Sequence, residues 1–198
     1  MKILNLYAGI GGNRKLWGDE HEITAVESQE DIAKVYSGFF PEDRVIVDDA
    51  LSYLMEHYNQ YDFIWASPSC TTHSKIRFLS SKAGCYEVVL PDLKLYELII
   101  FLKHYFKGKW VVENVVPYYE PLIKPIIKIG RHLFWSNFDI NELKVEREQH
   151  NNIKDKGNKY NIDLTGIKTK HRKDKLIRNC VHPEIALHIL NCAINSQK

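Results

Sequence analysis

Little in this chain points to a membrane, a metal or a disulfide framework. Its apolar runs fall far short of the roughly 20 residues that cross a bilayer. Only four cysteines occur among 198 residues, Cys70, Cys85, Cys180 and Cys192, and none forms a CxxC pair. Neither a zinc ribbon nor a stapled scaffold is implied, and reduced thiols fit a cytoplasmic protein. The histidines show no ligand spacing, so no metal is expected. The opening Met1-Lys2-Ile3-Leu4-Asn5 meets a polar residue and then glycines, unlike a secretion signal. Repeats and low-complexity tracts are absent, and no linker interrupts the first 140 residues. A large excess of one charge is missing too, since the net charge is only +2.

What is present is a core-forming composition, 44% hydrophobic and 26% charged, long enough for one domain. The charge is unevenly spread. Residues 144–178 hold eleven Lys and Arg against five Asp and Glu, which leaves the remainder net acidic. Such a segment attracts a polyanion, although a solvated loop has the same composition.

Short β-rich runs alternate with helical stretches over the first 112 residues. Strands are predicted at Lys2–Tyr7, Ile23–Val26, Arg44–Val47, Asp62–Ala66 and Trp110–Val112. Between them, helices are predicted to open at Asn13–Trp17 and to run over Asp31–Phe39, Ala50–Tyr58 and Pro91–Tyr105. That alternation implies a parallel sheet with right-handed crossovers. After Pro117 the rhythm changes. Ile126–Lys128 and His132–Phe138 read as a strand pair near a sheet edge, 141–175 has no clear period, and Pro183–Asn195 closes as a helix.

Three features carry chemistry. The first strand runs into Ala8-Gly9-Ile10-Gly11-Gly12, a turn whose glycines let a ligand approach the backbone. Glu27 ends the next strand, where a carboxylate accepts from ribose hydroxyls, and Asp49 follows the third, placed to accept from an adenine amino group. Together they describe a pocket for an adenosine-bearing cofactor. The GxGG differs from the GxGxxG of dinucleotide binders, so S-adenosylmethionine fits better than a nicotinamide cofactor.

The second feature is Pro68-Ser69-Cys70, which leaves a thiol at a strand's carboxyl end. The third is Glu113-Asn114-Val115 after the fifth strand. A lone cysteine is more often a small buried hydrophobe than a nucleophile. Ends of neighbouring parallel strands converge, however, so Cys70 and Glu113 are predicted to share a cleft. A thiolate with a carboxylic acid suits attack on a pyrimidine. Sulfur adds at C6, the acid serves N3, and C5 becomes nucleophilic enough to take a methyl group.

At this point the chain resembles the DNA cytosine-C5 methyltransferases, nearly from end to end. Leu6 to Gly12 is similar to the family's cofactor motif, Pro68-Ser69-Cys70 to its Pro-Pro-Cys, and Glu113-Asn114-Val115 to its Glu-Asn-Val. Arg178-Asn179-Cys180-Val181-His182-Pro183 resembles its final Gly-Asn-Ala-Val-Pro-Pro. The resemblance implies an α/β, Rossmann-like, S-adenosylmethionine-dependent methyltransferase fold, with a mostly parallel sheet and helices on both faces. It assigns cofactor binding to Tyr7, Ala8, Gly9, Gly11, Gly12, Glu27, Ser28, Asp49, Ala50, Pro68 and Asn179. Catalysis falls to Cys70 and Glu113. The family's arginine motif is degenerate here, leaving Arg131 or His132 for the cytosine O2, with Arg131 preferred.

Residues 1–140 then form the catalytic core, 141–177 a reduced basic target-recognition region, and 178–198 a C-terminal motif and helix returning to the core. So short a recognition region resembles phage-type members and implies relaxed specificity, or specificity supplied by a second copy or a separate subunit. Other departures are Ser69 for proline, Thr71 for glutamine and Asn5 for an acidic residue.

The implied partner is double-stranded DNA, from which the target cytosine must rotate out of the stack. Thr71–Leu90 is read as a mobile loop closing over that base, with Lys75 and Arg77 on phosphates and Ser74 a further nucleic-acid contact. Lys168, Lys170, Arg172 and Lys173 would track the backbone. Asn151, Asn152, Asn158 and Asn161 are candidates for base edges. Two rivals stay open: a tRNA-directed member of the same family, and a binding module that has lost catalysis.

Overall fold

Consecutive residues of each central strand enter different cores. Ile3, Phe63, Trp65, Val111 and Phe134 belong to one apolar cluster, and Leu4, Ile64, Ala66, Val112 and Leu133 to another. Side chains alternate along a strand, so a sheet covered on both faces needs apolar residues at every position. That is why these segments read as unbroken apolar runs.

The structure is a computed structural model, and it describes residues 1–144 and 160–196. The strands are β1 Lys2–Leu6, β2 Glu22–Val26, β3 Arg44–Ile46, β4 Phe63–Ala66, β5 Lys109–Val115, β6 Ile127–Ile129 and β7 His132–Ser136. They form one sheet in the order β3-β2-β1-β4-β5-β7-β6. The first five are parallel, while β7 runs antiparallel to both β5 and β6. This is the Rossmann-like, mostly parallel α/β arrangement expected from the sequence.

The helices are α1 Glu30–Phe39, α2 Ala50–His57, α3 Lys75–Lys82, α4 Lys94–Tyr105, α5 Lys173–Asn179 and α6 Pro183–Asn195. One face is covered by α2 and α4 through Leu54, Leu98, Ile99 and Leu102. The other is covered by α6, whose Ile185, Ala186, Ile189 and Leu190 pack with Trp17. Pro183 occupies the first turn of α6, where its missing N–H is not needed, and the His182 ring accepts from the Glu184 amide. Among the described residues no helix is long and apolar enough to cross a membrane.

Three expectations need correction. The helix predicted from Asn13 is only a 3-10 turn, Arg14–Leu16. Asn13 does not cap it, because its side-chain amide donates to the Asn5 side-chain oxygen Oδ1 at 2.8 Å instead. Arg14 is held just as firmly, its guanidinium donating to both oxygens of Asp43 at 2.9 and 3.1 Å. Second, Thr71–Leu90 is not a loop throughout, since α3 starts within it behind the capping hydroxyl of Ser74. Third, the described part of 141–175 is not simply a solvated basic stretch. Tyr160, Ile162 and Leu164 are buried with Leu176, Ile177 and Cys180 against Ile10 and Val35. Asp31 ties the same segment to α1 by accepting from the Thr169 hydroxyl at 3.0 Å and the Lys170 amide at 3.1 Å.

Candidate active site

β1 and β4 are neighbours, yet the chain leaves β1 for β2 on one side and β4 for β5 on the other. The reversal opens a crevice beyond the carboxyl ends of β1 and β4, where doubly wound sheets bind ligands. The glycine turn follows β1, and Ser67 to Cys70 follow β4.

The turn is built asymmetrically. Tyr7 and Gly9 both take left-handed backbone, at φ 55° and 56°. A Cβ on Gly12 would lie 2.4 Å from Cβ of Cys180, whereas one on Gly9 would meet nothing within 4 Å. Gly12 therefore admits the C-terminal motif, and Gly9 leaves the crevice side open. The Gly9 amide donates to Glu27 Oε2 at 3.0 Å, and the Gln29 amide donates to Oε1 at 3.0 Å. The Ser28 hydroxyl lies 3.5 Å from the same Oε1. Glu27 is thus locked at the mouth of the turn with lone pairs still to offer. Ala8 is pinned through its amide to the Val26 carbonyl.

Asp49 caps α2, accepting from the amide and hydroxyl of Ser52, and that amide bond leads in holding its pKa below the usual range. Ala50, the first residue of the helix, is buried. Asp49 also lines a cavity of about 110 Å³ with Tyr7, Pro68, Ser69 and His73. Burial, and then Asp49, push the Tyr7 hydroxyl up to about 12. A larger concavity of about 870 Å³ lies between Lys109, Ser136 and α6. It sits at the amino end of β5, away from the strand ends that carry the motifs, so the smaller cavity is the functional candidate.

Cys70 and Glu113 lie near enough to interact electrostatically. The β4–β5 register pairs Ala66 with Val112, so Glu113 lies level with Ser67 at the start of the Cys70 turn. The Trp65 indole donates to the Ser67 hydroxyl at 2.8 Å, and Ser67 lies near enough to Glu113 to hold its pKa down against burial. Asn114, fully enclosed, donates to the Pro68 carbonyl at 3.0 Å and clips the two strand ends together. The Cys70 carbonyl accepts from the amides of His73 and Ser74, which closes the turn.

The two groups sense each other electrically. Burial pushes the Cys70 thiol up, Glu113 pushes it further, and Arg131 and Lys175 pull it down. Burial raises Glu113 to about 7, against the opposing pull of Ser67 and Arg131. At neutral pH the carboxyl is therefore available as an acid.

Of the two arginine-motif candidates, His132 is buried, with Nε2 3.7 Å from Glu113 Oε1. Arg131 donates to the Arg178 carbonyl, yet it stays close enough to act on both Cys70 and Glu113. Asn179 is exposed at the end of α5.

The nucleic-acid candidates have different surroundings. Lys75 is exposed on α3, the Ser74 hydroxyl accepts from the Arg77 amide, and the Arg77 guanidinium lies 4.4 Å from the Tyr86 ring. Lys168 and Lys170 are exposed, Arg172 pairs with Asp174, and Lys173 donates to the Leu164 carbonyl at 2.8 Å. Asn151, Asn152 and Asn158 lie outside the described residues, and Asn161 is exposed with φ 52°.

Sequence reasoning missed Ser67, Asn114, His73 and Lys175. Only Asn114 carried a signal, as the middle residue of Glu-Asn-Val. Among the described residues no cluster of His, Cys, Asp or Glu could hold a metal.

No protein-family model matches the chain, and no curated protein does. Solved structures do resemble it. A mutant of DNMT2 from Spodoptera frugiperda is 26% identical over 58% of this chain and 35% of its own, with TM-score 0.41. A SAM-dependent methyltransferase from Agrobacterium tumefaciens is 16% identical over 60% of this chain and 40% of its own, with TM-score 0.42. A putative DNA modification methyltransferase encoded within an E. coli prophage is 18% identical over 61% and 33%, with TM-score 0.39. The chain spans less than half the length of each.

Proposed function

We propose that this chain transfers a methyl group from S-adenosylmethionine to C5 of a flipped-out cytosine in duplex DNA, through a covalent Cys70 adduct. The observation that carries the reading is the approach of Cys70, just past β4, to Glu113, near the carboxyl end of β5, beside the glycine turn. The crevice suits an adenosyl group. Gly9 leaves its open side free, Glu27 stands at that side, and Asp49 and Tyr7 line the adjoining cavity. Bound there, S-adenosylmethionine supplies an electrophilic methyl group.

The residues of the chain do the rest. Glu113 in its acid form no longer opposes a thiolate, and Arg131 and Lys175 favour one. Cys70 Sγ, having lost its proton to solvent, bonds to C6 while Glu113 donates to N3. Electron density moves to C5, which takes the methyl group. Loss of the C5 proton to a solvent base then expels Cys70, returns the N3 proton to Glu113 and restores the aromatic ring. Trp65, Ser67 and Asn114 hold the acid and the thiol turn in register meanwhile.

Fluorine in place of the C5 hydrogen blocks the last step. Duplex DNA carrying 5-fluorocytosine, incubated with S-adenosylmethionine, is expected to yield a protein–DNA adduct that survives denaturing electrophoresis, and Cys70→Ser is expected to yield none. An adduct formed only on tRNA would move the substrate to RNA. A Cys70→Ser protein that still forms the adduct would overturn the assignment of the nucleophile.

A further inference from the structure

Three residues past the thiol lies a histidine that this reaction does not use. His73 is only 1% exposed. Its Nδ1 stands 2.6 Å from the Tyr119 hydroxyl, the Tyr96 hydroxyl donates to the Tyr119 oxygen at 3.3 Å, and the Leu122 amide donates to the Tyr96 oxygen at 3.2 Å. An amide has only a proton to give, so the chain of bonds runs one way. Tyr119 must donate to Nδ1, and a neutral imidazole then carries its proton on Nε2. Burial lowers the pKa of the ring, against Asp92, and keeps it neutral.

That Nε2 is buried without a hydrogen-bond partner. The Asp92 backbone comes near enough to favour a proton there, but not within bonding geometry. A buried donor left unmatched is expensive and rare, so such a group marks a place for a ligand acceptor or a water. His73 lines the same cavity as Tyr7 and Asp49.

We infer that His73 reads the adenine of the cofactor, its Nε2–H donating to a ring nitrogen next to the exocyclic amine that Asp49 accepts. The inference rests on the adenosine reading of this cavity given above. Adenine presents an N6 amine flanked by the acceptors N1 and N7, which matches a carboxylate and an N–H in one cavity. Guanine presents an oxygen where the amine would be, facing Asp49 with an acceptor. Tyr119 acts as a positioning residue, since it fixes which nitrogen of His73 carries the proton.

Calorimetric binding of S-adenosylhomocysteine and its 1-deaza and 7-deaza analogues tests this without turnover. One of the two analogues is expected to bind wild-type protein about 3- to 10-fold more weakly, the usual effect of one neutral hydrogen bond. His73→Phe should lose a similar factor for the parent compound and no longer distinguish the analogues. His73→Gln, whose amide reaches close to the Nε2 position, should recover part of the loss, and Tyr119→Phe should cost less than His73→Phe. Should His73→Phe fail to fold, the analogue series on wild-type protein decides alone. If both analogues bind wild-type protein as tightly as the parent, the inference falls, and water serves the nitrogen. If the parent itself does not bind, the adenosine reading falls and takes the inference with it.

Discussion

The two halves of the sheet deliver chemistry in different ways. From β1 to β5 the candidate residues sit on a strand's carboxyl end or just beyond it: Gly9 after β1, Glu27 after β2, Asp49 after β3, Cys70 after β4, Glu113 near the end of β5. Beyond β5 nothing arrives so directly. His132 reaches Glu113 because β7 runs backwards beside β5, Arg131 bonds the Arg178 carbonyl, and Cys180 closes over Gly12. The first half places its groups by local rule, and the second by folding back onto them.

The largest effect expected from breaking that division is at Glu113, where the halves meet. Glu113→Gln should lower methyl incorporation from labelled cofactor by roughly 10²–10⁴-fold, the usual worth of a general acid. An undiminished rate would remove the carboxyl from the mechanism. The same residue links stability to pH. Its pKa is raised by burial from 4.5 to about 7, so the folded state holds the proton more tightly than the unfolded chain. That stabilisation is complete below the unfolded value and is lost as pH rises through about 7, a change of roughly 3 kcal/mol. Urea unfolding across that interval should show the decline in wild-type protein and a flatter profile in Glu113→Gln.

Next in size is the seam between the glycine turn and the C-terminal motif. Gly12→Ala places a methyl group against Cys180 and should destabilise by about 1–3 kcal/mol. Thermal melting should fall by roughly 2–4 °C for each of those kcal/mol. Cys180→Gly in the same chain should return part of the loss, and failure to do so would place the strain elsewhere.

The smallest effect sharpens the contrast at the reversed strand. His132→Gln removes a group able to carry positive charge 3.7 Å from Glu113. The carboxyl should become harder to ionise, moving the alkaline limb of the pH–rate profile upward by less than about one unit. A limb that stays in place would show the pair to be uncoupled.

The parallel half was legible because both its signals are local. Phe63-Ile64-Trp65-Ala66 reads as buried at every position, and Pro68 and Ser69 end it before Cys70. The short turn at Arg14 was misread because the side chains there answer to Asn5 and Asp43, eight and twenty-nine residues away. Tyr160, Ile162 and Leu164 do alternate, but polar and charged neighbours mask the pattern, and only packing against Ile10 and Val35 gives it meaning. His73 carried no signal at all, since its tautomer depends on Tyr119 and Tyr96, remote in the chain.

Taken alone, the order of residues determined which parallel strands form and where the thiol and the glycine turn emerge, but it ended the fifth strand at Val112, whereas β5 runs to Val115 and holds Glu113 within it. Apolar periodicity and turn chemistry act over a few residues, and a single chain displays them directly. Only the tertiary structure decided that the acid is buried enough to hold its proton, which imidazole stands beside it, and which nitrogen of His73 meets Tyr119. Those outcomes depend on desolvation and on hydrogen bonds between residues far apart in the chain, which come into being only when the sheet assembles.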